Sequence, residues 1–427
     1  MNISDLKQEY KEKAGQLFKT GFFHIFGSNS INQVVRFAYG ILIVRVIPKA
    51  NFGIFNAANN IFVLILLLSG LSIDSSVLQL SSEQQDNTQR TDDLLQYGYH
   101  FGLRFNALLS ATVLLIALFA PLPIAGSAAL LGLMALLPPL DIIKRVQVIY
   151  LRVTLQNKAY AEANTLDTVA VSVLTILCAH FWWEKGIVWA QYLSLLFIIL
   201  YMWRKLKVPF IRKRPALCDT DRRDLWKLSM ITTLNNSLGS LLSMLGATIL
   251  SFVVPDENLI ADYRVASLIP YALDFIPLSL MTYAYPHFAR HKDDREWVSS
   301  KYRLLLRGCG LFNLVVTIGG IVLARPIFSI MFSSQYLNAV TPFRILMISF
   351  FVSGTFRILA GNLLVTQRRL QFNLVNGILG AVVSILCNVL LIPRYYSNGA
   401  AISQLISMSV TGMLATGYFL YILKKKS

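Results

Sequence analysis

The sequence predicts an all-α polytopic membrane protein with twelve transmembrane helices. Of its 427 residues 55% are apolar, only 14% are charged, and the mean hydropathy is +0.56. A soluble domain carries about 25% charged residues. Long apolar runs recur from about residue 20 to residue 423, so nearly the whole chain is expected to lie in lipid. This composition excludes a disordered chain, a disulfide-rich scaffold and an ordinary water-soluble enzyme.

Residues 1–19 are polar and lysine-rich and are predicted to form a cytoplasmic helix on the membrane surface rather than a cleavable signal. Twelve apolar runs follow, each long enough to cross about 30 Å of hydrocarbon. Their predicted limits are 20–44, 53–80, 101–120, 124–150, 164–182, 187–203, 228–254, 260–285, 304–324, 341–365, 371–392 and 398–423.

The loop charges predict that both termini are cytoplasmic. With the N-terminus inside, the cytoplasmic segments hold 28 of the Lys and Arg residues and the outer loops hold 4. This asymmetry is the positive-inside signal of inner-membrane proteins. The formal net charge of +17 therefore reports topology and contact with anionic lipids, and we expect no nucleic-acid partner.

A basic loop at 204–227 divides the chain into two predicted six-helix lobes, 20–203 and 228–427. Weak echoes between the lobes indicate an internal duplication: Val-Ile-Pro at 46–48 recurs as Val-Val-Pro at 253–255. With six spans in each lobe, both lobes have the same orientation in the membrane, which makes this a parallel repeat.

Four segments spread over both lobes resemble one family. They are YGILIVRVIPKANFG at 39–53, GLSID at 70–74, RPIFSIMFSSQYLNA at 325–339, and IPRY with GAAI at 392–395 and 399–402. Their order and spacing are similar to those of the oligosaccharide and polysaccharide flippases, of the O-antigen flippase type. These belong to the multidrug/oligosaccharidyl-lipid/polysaccharide exporter (MOP) superfamily. The chain departs from the family at Ser333, where a glycine is frequent, and its twelve spans differ from the usual fourteen of the lipid II branch.

The resemblance implies a MATE-like V shape, with two lobes around a cavity that opens alternately inward and outward. It implies a cargo of undecaprenyl-diphosphate-linked oligosaccharide, such as an O-antigen unit for lipopolysaccharide, moved from the cytoplasmic to the periplasmic leaflet of the bacterial inner membrane. Membrane lipids and the polysaccharide polymerase machinery are the other expected partners. No cofactor is expected. Transport is expected to be coupled to a H⁺ or Na⁺ gradient.

Seven arginines remain inside or at the ends of the predicted spans, where a charge costs at least about 2.5 kcal/mol at the bilayer centre. Arg36 and Arg357 lie deepest and are predicted to face a cavity, whereas Arg264 lies nearer a span end, where it could bind substrate or extend to headgroups. Arginine suits a diphosphate because its planar fork donates two hydrogen bonds and stays charged.

Amide side chains accompany Arg36. Asn32 and Gln33 precede it at helical spacing, and Asn236 lies on a similar polar stripe in span seven. Such stripes could bind sugar hydroxyls, or they could join helices by hydrogen bonds.

Asp74 in span two and Asp274 in span eight are candidate ion-coupling residues, and they could instead neutralise cavity arginines. Asp141 has Lys144 and Arg145 three and four residues on, which predicts a structural ion pair.

Two other functions compete with flipping. A drug/cation antiporter of the sister branch would need a negative cavity, and a membrane polysaccharide polymerase would need a sizeable outer loop with catalytic residues. The sequence contains no nucleophile–base pair, phosphate-binding loop or metal-ligand spacing, and its four cysteines form no CxxC motif. We therefore expect a transporter rather than an enzyme.

Overall fold

The computed structural model describes residues 22–83, 88–208, 217–291, 293–367 and 369–425, and these are almost entirely helical. The predicted surface helix at 1–19 and the centre of the basic loop lie outside the described residues. The chain divides into two compact units. The first unit contains the described parts of Met1–Val46, Ile65–Ala120 and Ala129–Leu234. The second contains those of Ile47–Leu64, Pro121–Ala128 and Asn235–Ser427.

The helices that begin before residue 205 are α1 (Phe22–Val46), α2 (Lys49–Leu66), α3 (Ile73–Glu83), α4 (Thr88–Phe119), α5 (Ser127–Leu133), α6 (Leu137–Val153) and α7 (Asn157–Arg204). The later ones are α8 (Asp219–Val253), α9 (Glu257–Leu273), α10 (Phe275–Arg290), α11 (Arg295–Val322), α12 (Ala324–Ile327), α13 (Val340–Val352), α14 (Ile358–Thr366) and α15 (Leu370–Lys425). Helix α8 begins inside the segment predicted as loop, since Asp219 and Asp221 favour a helix N-terminus there.

The described helices confirm a multi-pass, all-helical membrane protein. Six continuous helical stretches, some made of more than one of these helices, are long and apolar enough to cross a membrane, and up to eight if each of two bent helix pairs is one span. Helix α7 has 48 residues, which would be about 70 Å if straight and thus more than two bilayer cores. It is broken at Trp183, and α15 is broken at Tyr396. Each break falls between two predicted spans, and the total of twelve stays a prediction.

The breaks in α7 and α15 share one geometry. Trp183 has φ 48° and ψ −124°, and Tyr396 has φ 51° and ψ −126°. Three residues after each break a glycine meets a backbone carbonyl, so closely that a Cβ would overlap it. Gly186 meets the carbonyl of Cys178, and Gly399 meets that of Leu391. The same turn, with two aromatic residues and a glycine at equal offsets, supports the predicted internal duplication.

In the first unit a tight turn connects α2 to α3. Gly70 and Leu71 have φ of 56° and 46°, a left-handed conformation that glycine adopts readily. The fully buried Asn106 holds this turn: its Oδ1 accepts from the Gly70 amide at 2.8 Å, and its Nδ2 donates to the Pro138 carbonyl at 2.8 Å. Asp74 follows in the first turn of α3, so its position is fixed by the break.

In the second unit Lys49 forms a buried ion pair and also contacts another of the segments that carry the family resemblance. Lys49 at the start of α2 lies 2.7 Å from Asp262 of α9, and its Nζ also donates to the Gln335 carbonyl at 3.1 Å. The Asp262 side chain is only 2% exposed, so the pair is shielded from water. Removing one partner would leave a buried charge uncompensated. Lys49 in segment 39–53 and Gln335 in segment 325–339 thus have a packing role.

Candidate substrate-binding cavity

A cavity of about 340 Å³ lies within the second unit, and we call it the arginine cavity. Its volume is near the lower end of small-ligand pockets, which span about 300–1,000 Å³, so it fits one chemical group rather than a whole oligosaccharide. It is lined by Met244, Arg264, Pro270, Tyr271, Asp274, Leu346, Ser349, Phe350, Ser353, Arg357, Gln404 and Met408. Three of the predicted site residues, Arg264, Asp274 and Arg357, therefore meet in one place.

Asp274 lies in this cavity where α9 meets α10. Helix α9 ends at Leu273 and α10 begins at Phe275, so Asp274 occupies the junction. The flanking Pro270 and Pro277 lack backbone N–H groups, which weakens the helix at this point. The Oδ1 oxygen of Asp274 is buried and has no hydrogen-bond partner among the described residues. Its carboxylate is thus available to a ligand or an ion.

Arg357 is positioned by a π-helical turn, Ser353–Arg357, between α13 and α14. Such turns are frequent at functional sites because they shift the facing of one side chain. Asn313 of α11 donates from Nδ2 to Thr355 Oγ1 at 3.1 Å, which holds the turn in place. The Nε of Arg357 donates to Ser353 Oγ at 3.3 Å, its only hydrogen bond to a described side chain. The rest of the guanidinium can therefore bind another group.

The arginine cavity has an excess of positive charge. Two guanidinium groups, Arg264 and Arg357, oppose the single carboxylate of Asp274. Burial strengthens this field because a low-dielectric wall screens charges poorly. Ser349, Ser353 and Gln404 add neutral hydrogen-bonding groups. The arrangement suits an anion that accepts several hydrogen bonds, and it opposes an organic cation.

The predicted site residues of the first helix point in different directions. Asn32 is only 4% exposed and its Nδ2 donates to Ser28 Oγ at 3.5 Å. Ser28 in turn contacts α7, with its Oγ 2.7 Å from Thr165 Oγ1. Gln33 is half-buried and Arg36 is exposed. Asn32 thus takes part in helix packing, whereas Arg36 is accessible.

Asn236 and Asp74 are also apart from the arginine cavity. Asn236 is exposed on α8. Asp74 lies in the first unit, 4.0 Å from Arg145. Arg145 also binds Asp141 at 2.6 Å, and Lys144 bridges Asp141 and Asp167 at 3.4 and 3.2 Å. The local ion pair predicted for Asp141 is therefore present, within a larger network that includes Asp74.

Several cavity residues were not predicted from the sequence. Ser349 and Ser353 precede Arg357 at intervals of four, so all three lie on one helical face. Gln404 and Met408 repeat this interval on α15. A search for polar residues at i, i+4 spacing around each arginine would have found the serines.

Three solved structures with the same fold are distant from this chain in sequence. One is an inward-facing multidrug-resistance MATE transporter of the MOP superfamily, with 15% identity, a TM-score of 0.69, and coverage of 93% of this chain and 96% of that chain. The lipid II flippase MurJ, in an inward closed conformation, has 14% identity, a TM-score of 0.71, and coverage of 94% and 87%. A third is a MOP transporter from Pyrococcus furiosus Vc1, with a reverse polarity of its binding pocket. It has 13% identity, a TM-score of 0.61, and coverage of 95% of both chains.

These likenesses show the fold, which is that of the MOP superfamily, as the resemblance in the sequence predicts. No curated protein sequence matches this chain. A family model described as "Polysaccharide biosynthesis protein" matches residues 41–342, which is well over half of the chain. The chain therefore belongs to this family of polysaccharide biosynthesis proteins.

Proposed function

We propose that the protein is a flippase for undecaprenyl-diphosphate-linked oligosaccharides, such as O-antigen units. It moves this cargo from the cytoplasmic to the periplasmic leaflet of the bacterial inner membrane by alternating access. Family membership supports a role in polysaccharide synthesis, and the MOP fold supports transport. The observation that carries the proposal is the net positive charge of the arginine cavity.

A diphosphate fits the arginine cavity by charge and by hydrogen bonding. The guanidinium groups of Arg264 and Arg357 can each donate two parallel hydrogen bonds to phosphate oxygens. Gln404 and the two serines can donate to the remaining oxygens. A cationic drug would meet repulsion from two arginines and attraction from one aspartate, so the cavity favours the flippase over the drug/cation antiporter.

The proposed machinery includes the accessible residues outside this cavity. Arg36 would bind the diphosphate at another stage of the cycle, and its exposure on α1 is compatible with that role. Gln33 and Asn236 would bind sugar hydroxyls, with Asn32 supporting α1 from its packed position. We further propose twelve spans in two six-helix lobes and cytoplasmic termini, on the charge asymmetry of 28 to 4.

Ion coupling is proposed for Asp274, whereas Asp74, which shares Arg145 with Asp141, is proposed to act as a counter-ion. A proton or Na⁺ bound at Asp274 would remove the one negative charge of the arginine cavity and so strengthen its hold on the diphosphate. The membrane potential also favours the outward movement of an uncompensated dianion, by about 4–5 kcal/mol per 100 mV.

The test is complementation of a strain whose own flippase gene is deleted. Arg357→Ala is expected to abolish surface polysaccharide while the amount of protein in the membrane stays normal. Arg357→Lys should restore only part of the activity, because an ammonium keeps the charge without the bidentate fork. The matched control is Arg344→Ala on α13, whose exposed side chain donates to the Ile321 carbonyl and does not line the cavity.

The control variant is expected to export normally. Full export by Arg357→Ala at normal abundance would remove the main support for an anionic cargo. The same assay on Arg36→Ala tests the proposed contact on α1.

A further inference from the structure

A second cavity of about 270 Å³ adjoins Arg357 on another side, and we call it the amide cavity. It is formed by α10, α14 and α15 and is lined by Leu278, Arg357, Ile358, Gly361, Asn362, Asn373, Asn376, Gly377, Thr411 and Ala415. Arg357 is the one residue that lines both cavities. A group bound in either cavity could therefore contact Arg357.

The three asparagines of the amide cavity are oriented by their hydrogen bonds. Asn362 donates from Nδ2 to the Ile358 carbonyl at 2.8 Å, Asn373 to the Gly361 carbonyl at 2.8 Å, and Asn376 to the Thr411 carbonyl at 3.0 Å. A carbonyl can only accept, so each amide must present its NH₂ group there. The three Oδ1 oxygens are left as acceptors, and the buried Oδ1 of Asn376 has no partner among the described residues.

These acceptors need a ligand that donates hydrogen bonds. A metal cation is disfavoured, because no carboxylate lines the cavity and the guanidinium of Arg357 repels it. A phosphate would meet Arg357 as the one charged residue of the lining, and a fully ionised phosphate has no hydrogen to donate to the three amide oxygens. Neutral hydroxyl groups donate to amide oxygens, and Leu278, Ile358 and Ala415 offer apolar surface to C–H groups. A carbohydrate has this combination of donors and C–H faces.

We propose that the amide cavity is a carbohydrate subsite that holds the sugar attached directly to the diphosphate. Arg357 would contact the junction between phosphate and sugar, with the diphosphate in the arginine cavity. The inference rests on the proposed function and adds that the protein recognises the first sugar of its cargo as well as the lipid diphosphate. Its hydrogen bonds depend on hydroxyls rather than on charge, so the subsite contributes selectivity for glycosylated over bare lipid carrier.

Two probes separate this subsite from the anion site. The full-length protein in lipid nanodiscs is titrated with undecaprenyl diphosphate and with undecaprenyl diphosphate that carries one N-acetylhexosamine. The wild-type protein is expected to bind the glycosylated probe more tightly. Asn376→Ala should lose about fivefold of that affinity, the equivalent of one hydrogen bond, and bind the bare probe normally.

Two further variants keep the test valid. Asn362→Ala is a second subsite variant that should fold, because its NH₂ group serves only a carbonyl of its own helix. Asn388→Ala is the matched control: this buried asparagine on α15 also donates to its own helix, at 2.7 Å to the Ser384 carbonyl, and lines neither cavity.

The outcomes distinguish the two proposals. If the wild-type protein binds neither probe, the proposed function fails. It also fails if the Arg357→Ala variant binds both probes with the affinity of the wild type. If bare undecaprenyl diphosphate binds but the sugar adds no affinity, the function stands and the subsite is wrong. Equal weakening of both probes by the Asn362 and Asn376 variants would also overturn the subsite.

Discussion

Asp74 and Asp274 have similar positions in the sequence and different surroundings in the structure. They fall in predicted spans two and eight, which correspond if the halves are duplicated. Asp74 follows the left-handed turn at Gly70, whereas Asp274 has helical dihedrals, φ −57° and ψ −21°, and joins α9 to α10 between two prolines.

The neighbours of the two carboxylates differ. Asp74 belongs to a network in which Arg145 and Lys144 are shared with Asp141 and Asp167. Asp274 lines a cavity, and its Oδ1 has no hydrogen-bond partner among the described residues. The comparison teaches that contacts with neighbouring cations decide whether a carboxylate is available to a ligand.

The largest expected effect is on transport and would separate the two acids. Asp274→Asn should keep the protein abundant and able to bind cargo. It should remove the dependence of flipping on a proton or sodium gradient, because the neutral amide has no charge for a bound proton or Na⁺ to neutralise. Asp74→Asn should leave this dependence intact, since Arg145 keeps its 2.6 Å contact with Asp141. The measurement is flipping of labelled lipid-linked oligosaccharide in proteoliposomes with imposed gradients.

Loss of gradient dependence in the Asp74 variant alone would reverse the comparison. Unchanged dependence in both variants would leave the two acids as counter-ions of arginines.

The multi-pass helical fold and the family were predictable from the sequence because their signals are additive. Apolar runs and four motif segments each contribute along the whole chain, and the family match and the fold confirm what they indicate together. The orientation that the loop charges indicate stays a prediction. The charge pair of Asp141 and Arg145 was also predictable, since i, i+4 spacing on a helix fixes their proximity.

The composition of the site was less predictable because it depends on contacts between distant segments. Nothing local in the sequence shows that Arg264, Asp274, Arg357 and Gln404 share one cavity. The different environments of Asn32 and Arg36, one turn apart, come from packing of α1 on α7. The π-helical turn Ser353–Arg357 is likewise not anticipated by helical periodicity.

Asn106 tests how strongly the break before Asp74 is held. Asn106→Ala would leave the Gly70 amide and the Pro138 carbonyl without their buried partner, at a cost of about 1–3 kcal/mol for each such group. The expected result is a clearly lower melting temperature of the purified protein. Thr112→Ala on the same helix is the control, because its hydroxyl bonds only the Leu108 carbonyl and should matter little. Equal melting temperatures for both variants would show that Asn106 does not hold the turn.

Asp221 gives the smallest expected effect and extends the comparison to a carboxylate outside the predicted spans. Hydrogen bonds from Arg90, including one of 2.7 Å, lower the pKa of Asp221 below its usual value. A lowered pKa stabilises the folded protein above the unfolded pKa of about 3.9, and this contribution is lost as pH falls through the folded value.

Accordingly, Asp221→Asn should reduce the free energy of unfolding at neutral pH by less than about 1 kcal/mol, which lowers the melting temperature slightly. The difference from wild type should vanish in acid. Asp219→Asn is the control, because that side chain is 90% exposed beside Arg222 and should change the melting temperature less at any pH. The difference in melting temperature between Asp221→Asn and wild type could instead persist unchanged into acid. This result would show that the contact with Arg90 stabilises the fold by packing rather than by charge.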